Sequence, residues 1–187
     1  MRNVVIAGLI GLIGSAPVWA ADPFLGNLGG SFELTDQFGE LRTEKSPDGK
    51  AQLVFFGYAN CPDICTAALP LMAEIVSTLE KDDVDVTPIM ITVDPNVDTP
   101  ETMGPPMAKW HPDFVGLSGT PEALQVSYDA FQVEITPLFQ EPTGQWIFAH
   151  GSFIYLLNEA GELLTLVPPI LGPDEAANIV RKYLQPS

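Results

Sequence analysis

The spacing of apolar residues changes along the chain from a period of two to one of three and four, and back again. Ser31-Phe32-Glu33-Leu34-Thr35 alternates polar and apolar, as a half-exposed strand does. Asp36-Gln37-Phe38-Gly39 turns it, and a second short edge piece is expected near Leu41. Leu53, Val54, Phe55 and Phe56 form a continuous apolar run of strand formers, broken by Gly57 and Asn60. Leu69, Met72, Ile75, Val76 and Leu79 then recur at helical steps. Proline is comfortable only in a first turn, so with Pro70 the regular helix starts there or kinks just past Cys65. Val84 to Val93 is the next buried strand. Thr99 caps a helix that has Pro100 at its first position, and Gly104-Pro105-Pro106 predicts that this helix is brief or broken. Phe114 to Ser118 is a third short strand, and Thr120-Pro121-Glu122 opens a helix with Leu124, Tyr128 and Phe131 on one face. Thr136 to Trp146, with Pro137, Pro142 and Gly144, reads as irregular. Ser152 to Leu157 is a strand, Asn158-Glu159-Ala160-Gly161 turns it, and Glu162 to Val167 returns antiparallel. Pro173 to Leu184 is a helix whose expected buried side is Ala177, Ile179, Val180 and Tyr183.

Strands alternating with helices predict an α/β domain. Its central sheet is mostly parallel, with helices on both faces and an antiparallel hairpin at the edge. Cys61 and Cys65, the only cysteines, fall where the first central strand runs into its helix, as they do in a thioredoxin-like fold. The usual redox motif there is C-x-x-C, and this chain has one residue more between the pair.

That position has chemical consequences. Unpaired backbone N–H groups and the helix dipole favour thiolate at a helix start, which makes such cysteines reactive. Four residues apart on a helical turn, their α-carbons would lie about 6 Å apart, close enough for a disulfide. The two sulfurs can close on each other or share a soft metal ion. A purely structural bridge closing five residues would contribute only about 2 kcal/mol. A chain of this length can bury a core without it.

The ends and the charge narrow the setting. Arg2 precedes an uncharged, mostly apolar run from Val4 to Ala20, and Val18-Trp19-Ala20 has small residues where a signal peptidase reads. Residues 1–20 are therefore expected to be a signal peptide cleaved after Ala20, or an uncleaved anchor, with one domain over residues 21–187. The mature domain then lies in the periplasm, where disulfides persist. The formal charge of −16 becomes −17 on losing one arginine and no acid. Nucleic acid and anionic lipid are repelled by such a surface, and a cation or a basic protein face is attracted. A membrane is involved only if the N-terminal segment stays uncleaved.

Two histidines remain. His111 lies in the polar turn Lys109-Trp110-His111-Pro112-Asp113 and reads as a surface loop residue. His150, in Phe148-Ala149-His150-Gly151-Ser152, enters the hairpin strand, and in a thioredoxin-like topology that loop approaches the cysteines. An imidazole there would complete an S₂N set with the two thiolates.

Four segments carry a specific resemblance: F-F-G-Y-A-N-C-P-D-I-C (Phe55 to Cys65), I-T-V-D-P-N-V-D-T-P (Ile91 to Pro100), F-V-G-L-S-G-T-P-E (Phe114 to Glu122) and H-G-S-F-I-Y-L-L-N-E-A-G (His150 to Gly161). The chain resembles the Sco (Sco1/SenC) family, thioredoxin-like copper proteins of cytochrome oxidase assembly. That resemblance implies copper, as Cu(I) or Cu(II), on Cys61, Cys65 and His150. It also implies, as partners, the copper-bearing subunit of cytochrome c oxidase and other copper chaperones. Thr66 stands where many members have proline, Gly151 replaces the common serine, and Gly104-Pro105-Pro106 interrupts a helix that members usually keep. None of these removes a ligand.

Donor chemistry agrees with copper. Two thiolates and an imidazole suit it by softness and by the divalent affinity order, whereas structural zinc sites are nearly always four-coordinate. The alternative use of the pair is metal-independent thiol–disulfide oxidoreduction in the periplasm, with Cys61 and Cys65 as the redox-active residues. A thiol peroxidase normally sets an arginine beside its cysteine. After Arg2 this chain has only Arg42 and Arg181, neither near the motif.

Overall fold

The computed structural model of the protein describes residues 26–59, 67–142 and 144–185. In chain order the described elements are β1 (Glu33–Asp36), β2 (Leu41–Thr43), β3 (Ala51–Gly57), α1 (Ala68–Glu80), β4 (Val86–Thr92), α2 (Pro100–Trp110) and β5 (Val115–Ser118). There follow α3 (Pro121–Ala130), β6 (Thr136–Gln140), β7 (Trp146–Ala149), β8 (Ile154–Leu157), β9 (Leu163–Val167) and α4 (Pro173–Leu184). The expected α/β order is present, and the N-terminal segment 1–20 and both cysteines lie outside the described residues.

Seven strands form one sheet in the order β2-β1-β5-β4-β3-β8-β9. Its centre, β5-β4-β3, is parallel, and the pairs on both sides of that centre are antiparallel. Strands β3 and β4 are buried throughout because both faces are covered, which is why they read as unbroken apolar runs. Side chains alternate between the faces: Leu53 and Phe55 of β3 and Met90 of β4 pack with α1 and α4. Val54, Phe56, Ile89 and Ile91 pack on the other face with Leu124, Tyr128 and Phe131 in and after α3. Pro88 is tolerated in β4 because pairing with β5 starts only at Ile89.

Helix α1 begins past the carboxyl end of β3 and ends, at Glu80, beside the amino ends of the central strands. Pro70 falls in its first turn, the first of the two expected outcomes. Helix α2 corrects the sequence reading, for it runs unbroken through Gly104-Pro105-Pro106. Two anchors hold it: the Thr99 N–H donates to Thr102 Oγ1 at its start, and Met103 and Met107 are fully buried over Gly116. Tertiary burial outweighs two missing N–H donors here. In α4, Ala177 and Val180 are buried as expected together with Ala176, but Tyr183 faces solvent.

The segment from Thr136 to Trp146 is also corrected. It forms a separate two-stranded sheet, β6–β7, with a bulge between Pro137 and Phe139. Every residue of β6 is exposed, so no alternation of burial marked it in the sequence. The bulge accommodates the proline.

Candidate metal centre

Strand β8 runs antiparallel to β3, with Tyr155 opposite Val54. The residues just before β8 therefore lie beside the carboxyl end of β3, where the chain enters the cysteine segment. His150 sits there, half-buried, its ring edge-on to Phe55 at 5.8 Å and to Tyr58 at 5.6 Å between centroids. Its Nδ1 is 2.9 Å from the Gly151 carbonyl oxygen. A carbonyl only accepts, so Nδ1 carries the proton and Nε2 keeps its lone pair. Burial lowers the imidazole pKa, and the hydrogen bond to Gly151 opposes this in part. The result is a neutral ring, oriented by one nitrogen and free to donate with the other, which is the arrangement of a metal-bound histidine.

Tyr58 ties this segment to the sheet. Its hydroxyl accepts from the Phe148 N–H at 2.5 Å and lies 3.3 Å from the Phe148 carbonyl. Its ring stacks on Phe148 at 6.4 Å. Strand β7 is thereby clamped to the chain three residues ahead of Cys61, two residues before His150.

A buried acid supports the same corner. Asp98 Oδ2 accepts from the Ala59 N–H at 2.8 Å and from the Thr92 hydroxyl at 3.0 Å. Asp94 is buried beside it, and its carboxyl is pushed above the usual value by burial and by the Asp98 charge, against a hydrogen bond from the Asn96 backbone. The Tyr128 hydroxyl donates to the Thr92 carbonyl at 2.7 Å. Burial, then the Asp94 charge, raises its pKa. The sequence reading treated Asp94 to Pro100 as a long turn and missed this role. The available signal was two acids directly after a buried parallel strand, at the end of the sheet where α/β proteins hold ligands.

Of the three expected ligands, then, the described residues contain His150, while Cys61 and Cys65 fall outside them. Thiolates and a neutral imidazole are a donor set suited to copper, and the His150 geometry fits such a role. His111 is a different case and corrects its reading as a surface loop residue, because it is buried at the end of α2. Its Nδ1 accepts from the Asp113 N–H at 3.2 Å, and its Nε2 is 3.5 Å from Glu80 Oε1. Donor atoms of Glu80, His111 and Asp113 lie within 4.8 Å of one another. Both ring nitrogens already face partners, so the group is a clamp between the ends of α1 and α2.

A mixed sheet of this order, with helices on both of its faces, defines a thioredoxin-like domain. The chain belongs to the SCO1/SenC family, whose model matches residues 20–185. It is 36% identical over 138 residues to the SCO2-like protein of Rickettsia conorii, covering 73% of this chain and 67% of that one. Among solved structures it is similar to copper-bound ScoI of Bradyrhizobium japonicum, with a TM-score of 0.73 and 35% identity over 83% of this chain and 99% of the other. Copper-bound ScoI of Arabidopsis thaliana gives a TM-score of 0.79 at 27% identity, covering 86% and 99%. Among the described residues no helix is long and apolar enough to cross a membrane.

Proposed function

We propose that this protein holds copper in the periplasm through Cys61, Cys65 and His150. It acts as a chaperone or thiol-redox factor in assembling the dinuclear copper site of cytochrome c oxidase. The observation that supports this reading is the His150 ring. It is neutral, braced at Nδ1 by Gly151 and packed on Phe55 and Tyr58 where β3 leads into the two cysteines. The oxidase as destination rests on family membership. The mature chain begins at Ala21 under the same reading, which intact-mass measurement on material from the native host tests.

Three donors leave the copper ion exchangeable, as a carrier requires. The same thiols cannot both bind metal and form a disulfide, so copper loading and thiol oxidation exclude each other. The test is titration of the reduced protein and of His150→Ala with Cu(I) and with Cu(II), alongside their disulfide potentials. Two thiolates still satisfy Cu(I), so its binding should persist in the variant. Cu(II) favours nitrogen and more donors, so its thiolate charge-transfer absorption should be lost while the fold remains. Unchanged Cu(II) binding would remove His150 from the ligand set and leave the metal-independent oxidoreductase as the function.

A further inference from the structure

The clamp formed by Glu80, His111 and Asp113 grips unevenly. His111 caps the carboxyl end of α2, where its N–H donates to the Met107 carbonyl and its own carbonyl accepts from the Phe114 N–H. Those bonds fix the backbone, and the residue is only 8% exposed, which fixes the ring. Nδ1 accepts from the Asp113 N–H at 3.2 Å, so the ring proton sits on Nε2. That proton faces Glu80 Oε1 across 3.5 Å, beyond the roughly 2.7–3.2 Å that a hydrogen bond spans. A buried donor held short of its acceptor carries a desolvation penalty.

The same separation suits two donors on one ion. Zinc holds imidazole nitrogen and carboxylate oxygen at about 2.0–2.2 Å, which sets two tetrahedral neighbours roughly 3.3–3.6 Å apart. Donor atoms of all three residues lie within 4.8 Å of one another. Glu80 and Asp113 are exposed, so an ion can reach the cluster and their carboxylates can swing the remaining distance. Among the described residues no lysine or arginine forms an ion pair with either carboxylate. The cluster therefore joins a buried, poorly satisfied imidazole to two acids without a counter-charge.

We propose that Glu80, His111 and Asp113 form a second metal site, which takes a divalent cation of the zinc type. Nε2 and one oxygen from each carboxylate are the donors, and water completes the set. The imidazole selects zinc over magnesium and calcium, which take oxygen ligands, and the lack of sulfur turns away Cu(I). Binding moves one proton: Nε2 yields its hydrogen to make way for the cation and Nδ1 takes one, so the ring stays neutral. The 3.2 Å contact with the Asp113 N–H is given up, and the N–H of this exposed residue turns to water. The cluster lies at the amino ends of the central strands, across the sheet from His150, so it draws on none of the copper donors. A cation there pins the far end of the helix that follows the cysteines.

The test uses copper-free protein with Cys61 and Cys65 alkylated, so that no sulfur competes for the probe, zinc chloride. Cu(II) outranks zinc at nitrogen and oxygen donors, which is why copper is left out. Long-range proton–nitrogen NMR spectra of the histidines report which ring nitrogen carries the proton. Zinc should shift the His111 Nε2 resonance, saturating at one equivalent, and turn the tautomer from Nε2–H to Nδ1–H. At a hundredfold excess over its dissociation constant, zinc should raise the melting temperature by about 5–10 °C. Glu80→Gln and Asp113→Asn keep the side-chain shape at exposed positions, and each should weaken zinc binding at least about tenfold by calorimetry. Glu74→Gln, at an exposed position of α1 outside the cluster, should bind as wild type does. The site is refuted if zinc leaves the His111 signals in place, if it moves only those of His150, or if both carboxylate variants bind as wild type does. It is refuted as well if magnesium produces the same shifts, since cations would then be gathering on an acidic surface without a built site.

Discussion

Replacing Asp98 with alanine should cost the domain about 3 kcal/mol, and replacing it with asparagine about 1 kcal/mol. Asp98 is buried, and its Oδ2 takes both the Ala59 N–H at 2.8 Å and the Thr92 hydroxyl at 3.0 Å. A hydrogen bond to a charged acceptor contributes about 1.5–3 kcal/mol, and a buried donor left alone carries its desolvation penalty. Two such losses would approach 5 kcal/mol. Removing a buried carboxylate beside Asp94 relieves repulsion and desolvation, and the Thr92 hydroxyl can rotate, so the net falls near 3. Asparagine keeps an acceptor oxygen in place and loses only the charge. In a domain of this size each kcal/mol moves the melting temperature by about 2–4 °C, which predicts a drop of roughly 6–12 °C for alanine. The assay is thermal and urea unfolding of reduced, copper-free protein at neutral pH. Hydrogen exchange at Ala59 serves as the local readout and should quicken in the alanine variant. If alanine and asparagine differ by less than about 0.5 kcal/mol, the acceptor role assigned to Oδ2 is wrong.

Tyr58→Phe removes the hydroxyl that pairs with the Phe148 backbone. A loss of about 1–2 kcal/mol in stability is expected, with Cu(II) affinity falling more than Cu(I) affinity; equal falls would disconnect the clamp from His150. Gly161 has φ +84°, and a Cβ there would lie 2.8 Å from the Glu44 carbonyl oxygen. Gly161→Ala should therefore cost about 2 kcal/mol or more, against about 1 kcal/mol for Gly39→Ala, where φ is +83° but the space is open. Chemical denaturation of the two variants compares them directly. For pH, burial holds His150 below its ordinary 6.5 in the folded state. Above 6.5 the ring is neutral in both states; as pH falls below 6.5 the unfolded chain takes the proton first, so stability declines. Replacing His150 with glutamine should flatten that part of the stability–pH curve of the copper-free protein, and an unchanged slope would refute the assignment.

Much of the architecture was legible because burial on two faces writes itself into sequence. The runs of β3 and β4, the capped start of α3 at Thr120 and the bounds of α4 all follow from local pattern. His150 was legible as a candidate because topology, and not periodicity, brings it to β3. The failures share a cause. Gly104-Pro105-Pro106 breaks a helix by local propensity, yet Met103 and Met107 gain enough burial against β5 to keep α2 whole. Every residue of β6 is exposed, and β7 meets the core through Phe148, so no core-facing period marked them. His111 looked polar by its neighbours, and only the meeting of α1 and α2 buries it against Glu80. Asp98 was invisible for the same reason, since its partners, Ala59 and Thr92, come from two other strand ends.

Tyr58 and the Phe148 backbone it clamps are 90 residues apart in the chain. Cys61 and Cys65 leave the ribosome long before His150 does. Strand β3 cannot acquire its neighbour β8 until the last third of the chain has followed. Closure of such distant pairings is slow compared with local helix formation. A newly made chain therefore passes through an interval in which two thiols are present without the imidazole. During that interval the thiols are open to oxidation and to soft metals, and His150 takes its place beside Phe55 at the end of β3 only in a chain that has finished folding.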